Sequence, residues 1–119
     1  FTAPEVASVG LTEKEAVAKG ISVKTGRFAF AGNGRAHALG ETEGMVKIVG
    51  DAATDEIIGV HIMGAEAGEM IATAALAMAM EATVEEIVHT IHTHPTLSEV
   101  MLEAAEDYYG MGIHSKPKK

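Results

Sequence analysis

The densest group of chemistry-bearing side chains is His92-Thr93-His94-Pro95, with Glu99 five residues beyond His94. Imidazole has an ordinary pKa near ~6.5, so a histidine here can take up or release a proton at working pH. If Pro95 turns the chain and Thr96 opens a helix, Glu99 falls on the first helical turn. Its carboxylate can then fold back toward His94, orient the ring and stabilise imidazolium, leaving the far nitrogen as a general base. The same spacing has a plainer reading. Thr96-Leu97-Ser98-Glu99 has the capping-box form, in which Glu99 only accepts from the Thr96 amide, and spacing alone favours that cap over the dyad. His94 by itself is an ordinary loop histidine. His89, His92 and His94 offer imidazoles to zinc or nickel, but no carboxylate stands at an obvious ligand position, and no metal is expected. His61 is too distant in sequence to be assigned to this group. Gly32-Asn33-Gly34 lacks the third glycine of a nucleotide-binding loop.

The elements that must position this segment follow from pattern. An extended stretch from Pro4 to Val9 ends at Gly10. Thr12 and Glu15 form a capping box that opens a short helix to about Lys19, with Gly20 at its C-cap. Residues 21–30 read as a strand with Val23 and Thr25 on one face and Lys24 on the other; Ala31 to Arg35 read as loop. Gly44 to Val49 and Ile57 to Met63 are strands, with Val46 and Ile48 sharing one face of the first and Ile58, Val60 and Ile62 one face of the second. The short segment between them is too small for a parallel crossover, so the pair is expected to be antiparallel.

A helix is expected from about Glu66 to Met80, apolar or small nearly all round in its later part. Such a helix needs burial on two sides; the sheet supplies one, and a second subunit or domain is expected to supply the other. Thr83 and Glu86 form another capping box before a short helix near Ile87-Val88. The last helix should run from Thr96 to about Tyr109, with Leu97, Val100, Met101, Ala104, Ala105 and Tyr108 on one face and Gly110 and Gly112 beyond its end. Strands followed by helices indicate an α+β fold, an antiparallel β-sheet with helices packed on it.

Composition narrows the function classes. The 119 residues suit one domain able to bury roughly two-thirds of its unfolded surface. With no Trp, two Tyr and three Phe, the core must be aliphatic and methionine-rich. The absence of cysteine excludes a disulfide scaffold, a Cys zinc site and any thiol redox chemistry performed by this chain alone. Net charge is −8, and residues 48–115 contain no Lys or Arg. Nucleic acid and anionic membrane surfaces are therefore poor partners, and a basic protein partner is a good one. The chain begins at Phe1 within strand-like sequence and reads as a fragment or processed product.

The segment from His92 to Glu99, His-Thr-His-Pro-Thr-Leu-Ser-Glu, resembles the C-terminal signature of the dihydrolipoamide dehydrogenases, flavoproteins of the pyridine nucleotide-disulfide oxidoreductase family. Pro4 to Glu13 is similar to that family's lead-in to its last domain, and Gly44 to Val49 with Ile58 to Gly64 to its central hairpin. Glutathione reductases share the His-Pro-Thr and Glu elements; His92 and Leu97-Ser98-Glu99 favour the lipoamide enzymes. The resemblance implies a dimerisation (interface) domain over residues 1–112 and a flexible tail over 113–119. It implies a homodimer in which each subunit's active site is completed by the other. His94 would be the acid–base residue and Glu99 its partner, with His92 in support. The backbone of His94 and Pro95, joined by a cis bond, would approach the FAD of the partner subunit.

The implied reaction is oxidation of dihydrolipoamide with NAD, in the bacterial cytoplasm or the mitochondrial matrix. FAD and NAD would belong to domains of the parent chain outside this segment. The isolated chain is expected to bind neither cofactor and to be inactive. A basic subunit-binding domain of the acyltransferase component would be a docking partner. The alternatives are another flavin disulfide reductase, such as a glutathione reductase, and a free-standing acidic docking module.

Overall fold

The computed structural model describes residues 5–33, 40, 43–89 and 99–110. Four strands, β1 (Glu5–Gly10), β2 (Val23–Ala29), β3 (Gly44–Asp51) and β4 (Ile57–Gly64), form one sheet in the order β1-β4-β3-β2. Every neighbouring pair is antiparallel, as the short β3–β4 connection requires. The helices are α1 (Glu13–Ala18), α2 (Ala67–Ala79), α3 (Val84–Val88) and α4 (Glu99–Tyr108). The architecture is α+β, with the antiparallel sheet carrying helices as expected.

Register explains where the core lies. Paired residues on antiparallel strands project to the same face, so each cross-strand row has a single destination. Two rows, Ala7–Ile62–Val46–Phe28 and Val9–Val60–Ile48–Gly26, face the two longer helices. Helix α2 covers the β1–β4 half with Ala67, Met70 and Ala74, and α4 covers the β2–β3 half with Val100, Met101, Ala104, Ala105 and Tyr108. These α4 positions are the apolar stripe read from the sequence; Leu97 and the Thr96 cap lie outside the described residues.

The helix starts follow their local chemistry. The Thr12 hydroxyl accepts from the Glu15 amide at 3.0 Å, and Glu15 accepts from the Thr12 amide at 2.9 Å. Those hydrogen bonds, the backbone one foremost, hold the Glu15 carboxyl below the usual range. The Thr83 amide likewise donates to Glu86 at 2.9 Å ahead of α3. At the end of α1 the C-cap is Lys19, and Gly20 follows it at φ +80°. Glu66 precedes α2 at φ 60°, so that helix starts one residue later than the pattern predicts.

Strand β2 is also shorter than its sequence suggests. It ends at Ala29, and Phe30 turns into a 3-10 segment (Phe30–Gly32) where its ring is fully buried. The core-facing side of β2 is that of Lys24, Gly26 and Phe28. A Cβ on Gly26 would collide with the Ala104 carbonyl and lie 2.7 Å from Tyr108 Cβ, so glycine is what lets α4 sit directly on β2.

Candidate functional site

His92, His94 and Pro95 lie outside the described residues, as do the Thr96 cap and the 113–119 tail. Glu99 is described. It is the first described residue of α4 and is partly buried in the first turn, where its carboxylate suits the positive end of the helix dipole. The location of Glu99 is thus fixed by whatever fixes α4.

Two anchors do so. Along the helix, Val100, Met101, Ala104 and Ala105 are buried against the sheet, and the amide of Arg27 in β2 donates to the buried Asp107 at 2.9 Å. At the far end, Tyr108 donates to Asp55 Oδ1 at 2.9 Å and Tyr109 to Asp55 Oδ2 at 3.4 Å. Asp55 sits at φ 63° in the β3–β4 turn, a conformation Asp tolerates better than most residues. The Lys24 ammonium lies 4.6 Å from the Tyr108 ring centroid and 4.8 Å from that of Tyr109. Neither tyrosine was a candidate from sequence, because Asp55 is 53 residues away from Tyr108 and no local pattern joins them.

Burial first, and the hydrogen bond to Asp55 second, push the Tyr108 phenol well above its usual pKa. The folded chain therefore holds this proton more tightly than the unfolded chain. The resulting stability is fully present below about pH 10 and is lost as pH rises beyond it. Tyr108→Phe should cost about 1–2 kcal/mol at neutral pH and should flatten the alkaline fall in stability. Denaturant midpoints measured from about pH 8 to 11.5 on both chains check this.

The two histidines that are described do other work. His61, on β4, bridges Ser8 Oγ at 3.0 Å from Nδ1 and the Leu11 carbonyl at 2.8 Å from Nε2. A carbonyl only accepts, so Nε2 carries the proton and Nδ1 of the neutral ring accepts from Ser8. With both nitrogens engaged, His61 pins the β1–α1 connection to the sheet and is not a free base. His89, at the C-cap of α3, lies 3.3 Å from Glu85 across one helical turn, and both are exposed. Among the described residues, no three His, Cys, Asp or Glu side chains are grouped to hold a metal ion. Among the same residues, no helix is long and apolar enough to cross a membrane.

Helix α2 shows what its all-round apolar character serves. Ala67, Met70 and Ala74 are buried on the sheet, while on the outer side Leu76 is 62% and Met80 72% exposed. The sheet supplies one covering surface, and the outer side is exposed among the described residues.

The same sheet-and-helix arrangement occurs in known proteins. Residues 1–105 match the family described as pyridine nucleotide-disulphide oxidoreductase, dimerisation domain. The chain belongs to this family. It is 54% identical over 96% of its length to a dihydrolipoyl dehydrogenase of Thermus scotoductus, covering 25% of that protein. It is 53% identical over 94% of its length to the dihydrolipoyl dehydrogenase of Rhizobium etli, covering 23% of it. The crystal structure of LpdA from Mycobacterium tuberculosis superposes with a TM-score of 0.83 at 32% identity, over 89% of this chain and 23% of that one. The chain spans about a quarter of the length of the curated relatives it matches. The match is to a dimerisation domain, and the relatives above 50% identity are dihydrolipoyl dehydrogenases.

Proposed function

We propose that this domain assembles a homodimeric dihydrolipoyl dehydrogenase and supplies one half of each active site to the partner subunit. Identity above 50% to dihydrolipoyl dehydrogenases, across nearly the whole chain, carries the reading. The outer face of α2, with Leu76 and Met80 exposed, supports it as the surface that meets a second copy.

In this reading the chemistry of the domain is proton transfer. A thiolate, not a thiol, attacks a disulfide, so dihydrolipoamide must lose a proton before it reacts. His94 takes that proton, and Glu99 orients the ring and stabilises the imidazolium. His92 supports the segment, and the backbone at His94 and Pro95 lies against the partner subunit's flavin. FAD and NAD, held by the rest of the parent polypeptide, would carry the electrons. The strongly acidic stretch from residue 48 to 115 would suit docking of a basic subunit-binding domain of the acyltransferase component.

The test is to express the full parent reading frame with FAD. NAD reduction by dihydrolipoamide is then compared with NADPH oxidation by glutathione disulfide. The first reaction should dominate. Activity on glutathione disulfide alone would move the protein to another branch of the superfamily, and activity on neither would overturn the reading.

A further inference from the structure

Three carboxylates stand four residues apart along α4: Glu99, Glu103 and Asp107. That spacing puts them on one edge of the helix, with about 5–6 Å between successive Cβ atoms. The edge is fixed at its far end, where the buried Asp107 accepts from the Arg27 amide of β2. Glu103, between the other two, has no part in the proton transfer proposed for His94 and Glu99. It is nevertheless partly buried, and its Oε2 is shut off from solvent. Helical side chains lean toward the N-terminus, so the Glu103 carboxylate reaches back over the turn that carries Glu99. A charge withdrawn from water is weakly screened, so it acts across one helical turn more strongly than a surface charge does.

We propose that Glu103 is a positioning residue for the His94–Glu99 pair: its negative charge, one helical turn behind Glu99, strengthens the hold of that carboxylate on the imidazolium. The inference rests on the acid–base roles proposed above for His94 and Glu99. Two carboxylates at this spacing repel each other. The repulsion turns the Glu99 charge away from Glu103 and is relieved when a proton arrives on an imidazole beside Glu99. The other charges around α4 stand elsewhere. On the helix itself, Glu106 and Asp107 lie a turn beyond Glu103, away from Glu99. On β2, the Lys24 ammonium lies over Tyr108 and Tyr109 at the opposite end of α4. The Arg27 side chain shares the cross-strand row of Lys47 and His61, on the sheet face away from the helix. On β3, Lys47 pairs with Glu13, and Asp51 acts on Tyr108. On α3, Glu85 acts on Tyr109, and Glu86 accepts from the Thr83 amide. Glu103 is the next charged residue after Glu99 along the helix.

The pH profile of kcat/KM with dihydrolipoamide, measured on the full parent protein, tests this. Glu103→Gln should move the acid limb to lower pH by about 0.3–1 unit, with the maximum falling about two- to fivefold. Glu103→Met removes the same charge without a polar end and should give the same shift. Glu103→Asp, which keeps the charge, should bring the limb most of the way back. In a Glu99→Gln background the Glu103→Gln shift should shrink by at least about half, because the charge acts through Glu99. A role in packing alone predicts lost stability with a stationary limb. That result in whichever neutral variant folds would overturn the proposal. A full shift retained in the Glu99→Gln background would show Glu103 acting on His94 directly, and would overturn it too. An active parent whose limb answers to Glu99→Gln but not to Glu103→Gln loses this inference and keeps the proposed function. A parent inactive with dihydrolipoamide, or a limb that Glu99→Gln leaves stationary, fails at the proposed function and takes this inference with it.

Discussion

Replacing His94 with Gln in the full parent protein is expected to lower turnover with dihydrolipoamide by roughly 10²–10⁴-fold, the usual range for loss of a positioned general base. Glutamine keeps the approximate size and a hydrogen-bonding end but cannot accept and store the thiol proton. Folding and assembly should survive, so circular dichroism and sedimentation should match wild type. Turnover within a factor of a few of wild type would remove His94 from the acid–base role.

Glu99→Gln is the companion that separates a dyad from a helix cap. Glutamine at N3 can still accept from the N-cap amide, so a purely capping Glu99 tolerates the change with little loss of stability or activity. A Glu99 that stabilises the imidazolium does not. Removing its charge lowers the pKa of His94, so the acid limb of kcat/KM should move to lower pH while the maximum falls by about tenfold or more. A stationary limb with a near-normal maximum would assign Glu99 to the cap alone.

What could be read from the sequence was what repeats locally. The stripe Val100, Met101, Ala104, Ala105 and Tyr108 follows helical spacing, and all five are buried in α4. The β3–β4 hairpin follows from two alternating runs and a short connection. The capping boxes at Thr12 and Thr83 rest on residues three apart, and both are formed.

Contacts fixed by the strand order β1-β4-β3-β2 were not legible. The core-facing row Ala7–Ile62–Val46–Phe28 joins residues from four strands, and no window of sequence contains it. The core-facing side of β2 was obscured because Gly26 has no hydropathy to signal burial, and Lys24, on the same side, reads as surface. In fact the Lys24 ammonium lies over two tyrosine rings. Phe28 completes that side but lacks an apolar partner two residues earlier. The candidate site divides in the same way. His94 and Glu99 come from one eight-residue motif, whereas the role of His61 depends on Ser8 and Leu11, about 50 residues earlier.

Two glycines separate close backbone contact from chain freedom, because filling them should act with opposite sign, and the first, Gly26, tests how α4 is positioned. At Gly26 an added Cβ meets the Ala104 carbonyl, a backbone atom that no rotamer change can move aside. Gly26→Val adds two further methyl groups at that contact, so α4 must lift from β2. Burial of Ala104, Ala105 and Tyr108 would weaken, and the Tyr108–Asp55 hydrogen bond would stretch with it. The expected loss is at least about 4 kcal/mol, enough to unfold a marginally stable domain.

At Gly68, in the first turn of α2, an added Cβ lies 3.5 Å from Glu5 Oε1, an ordinary contact, and the backbone φ is not positive. The Gly68 amide still donates to Glu5 after substitution, as it does now at 3.1 Å. Gly68→Ala should therefore stabilise by about 0.5–1 kcal/mol, by reducing the freedom of the unfolded chain and improving helix propensity. Urea denaturation at one fixed protein concentration measures both, since any association would otherwise shift the midpoints. If Gly26→Val cost less than about 1 kcal/mol, α4 would not be seated on bare β2 backbone. The first turn of α4, and Glu99 with it, would then need a different anchor.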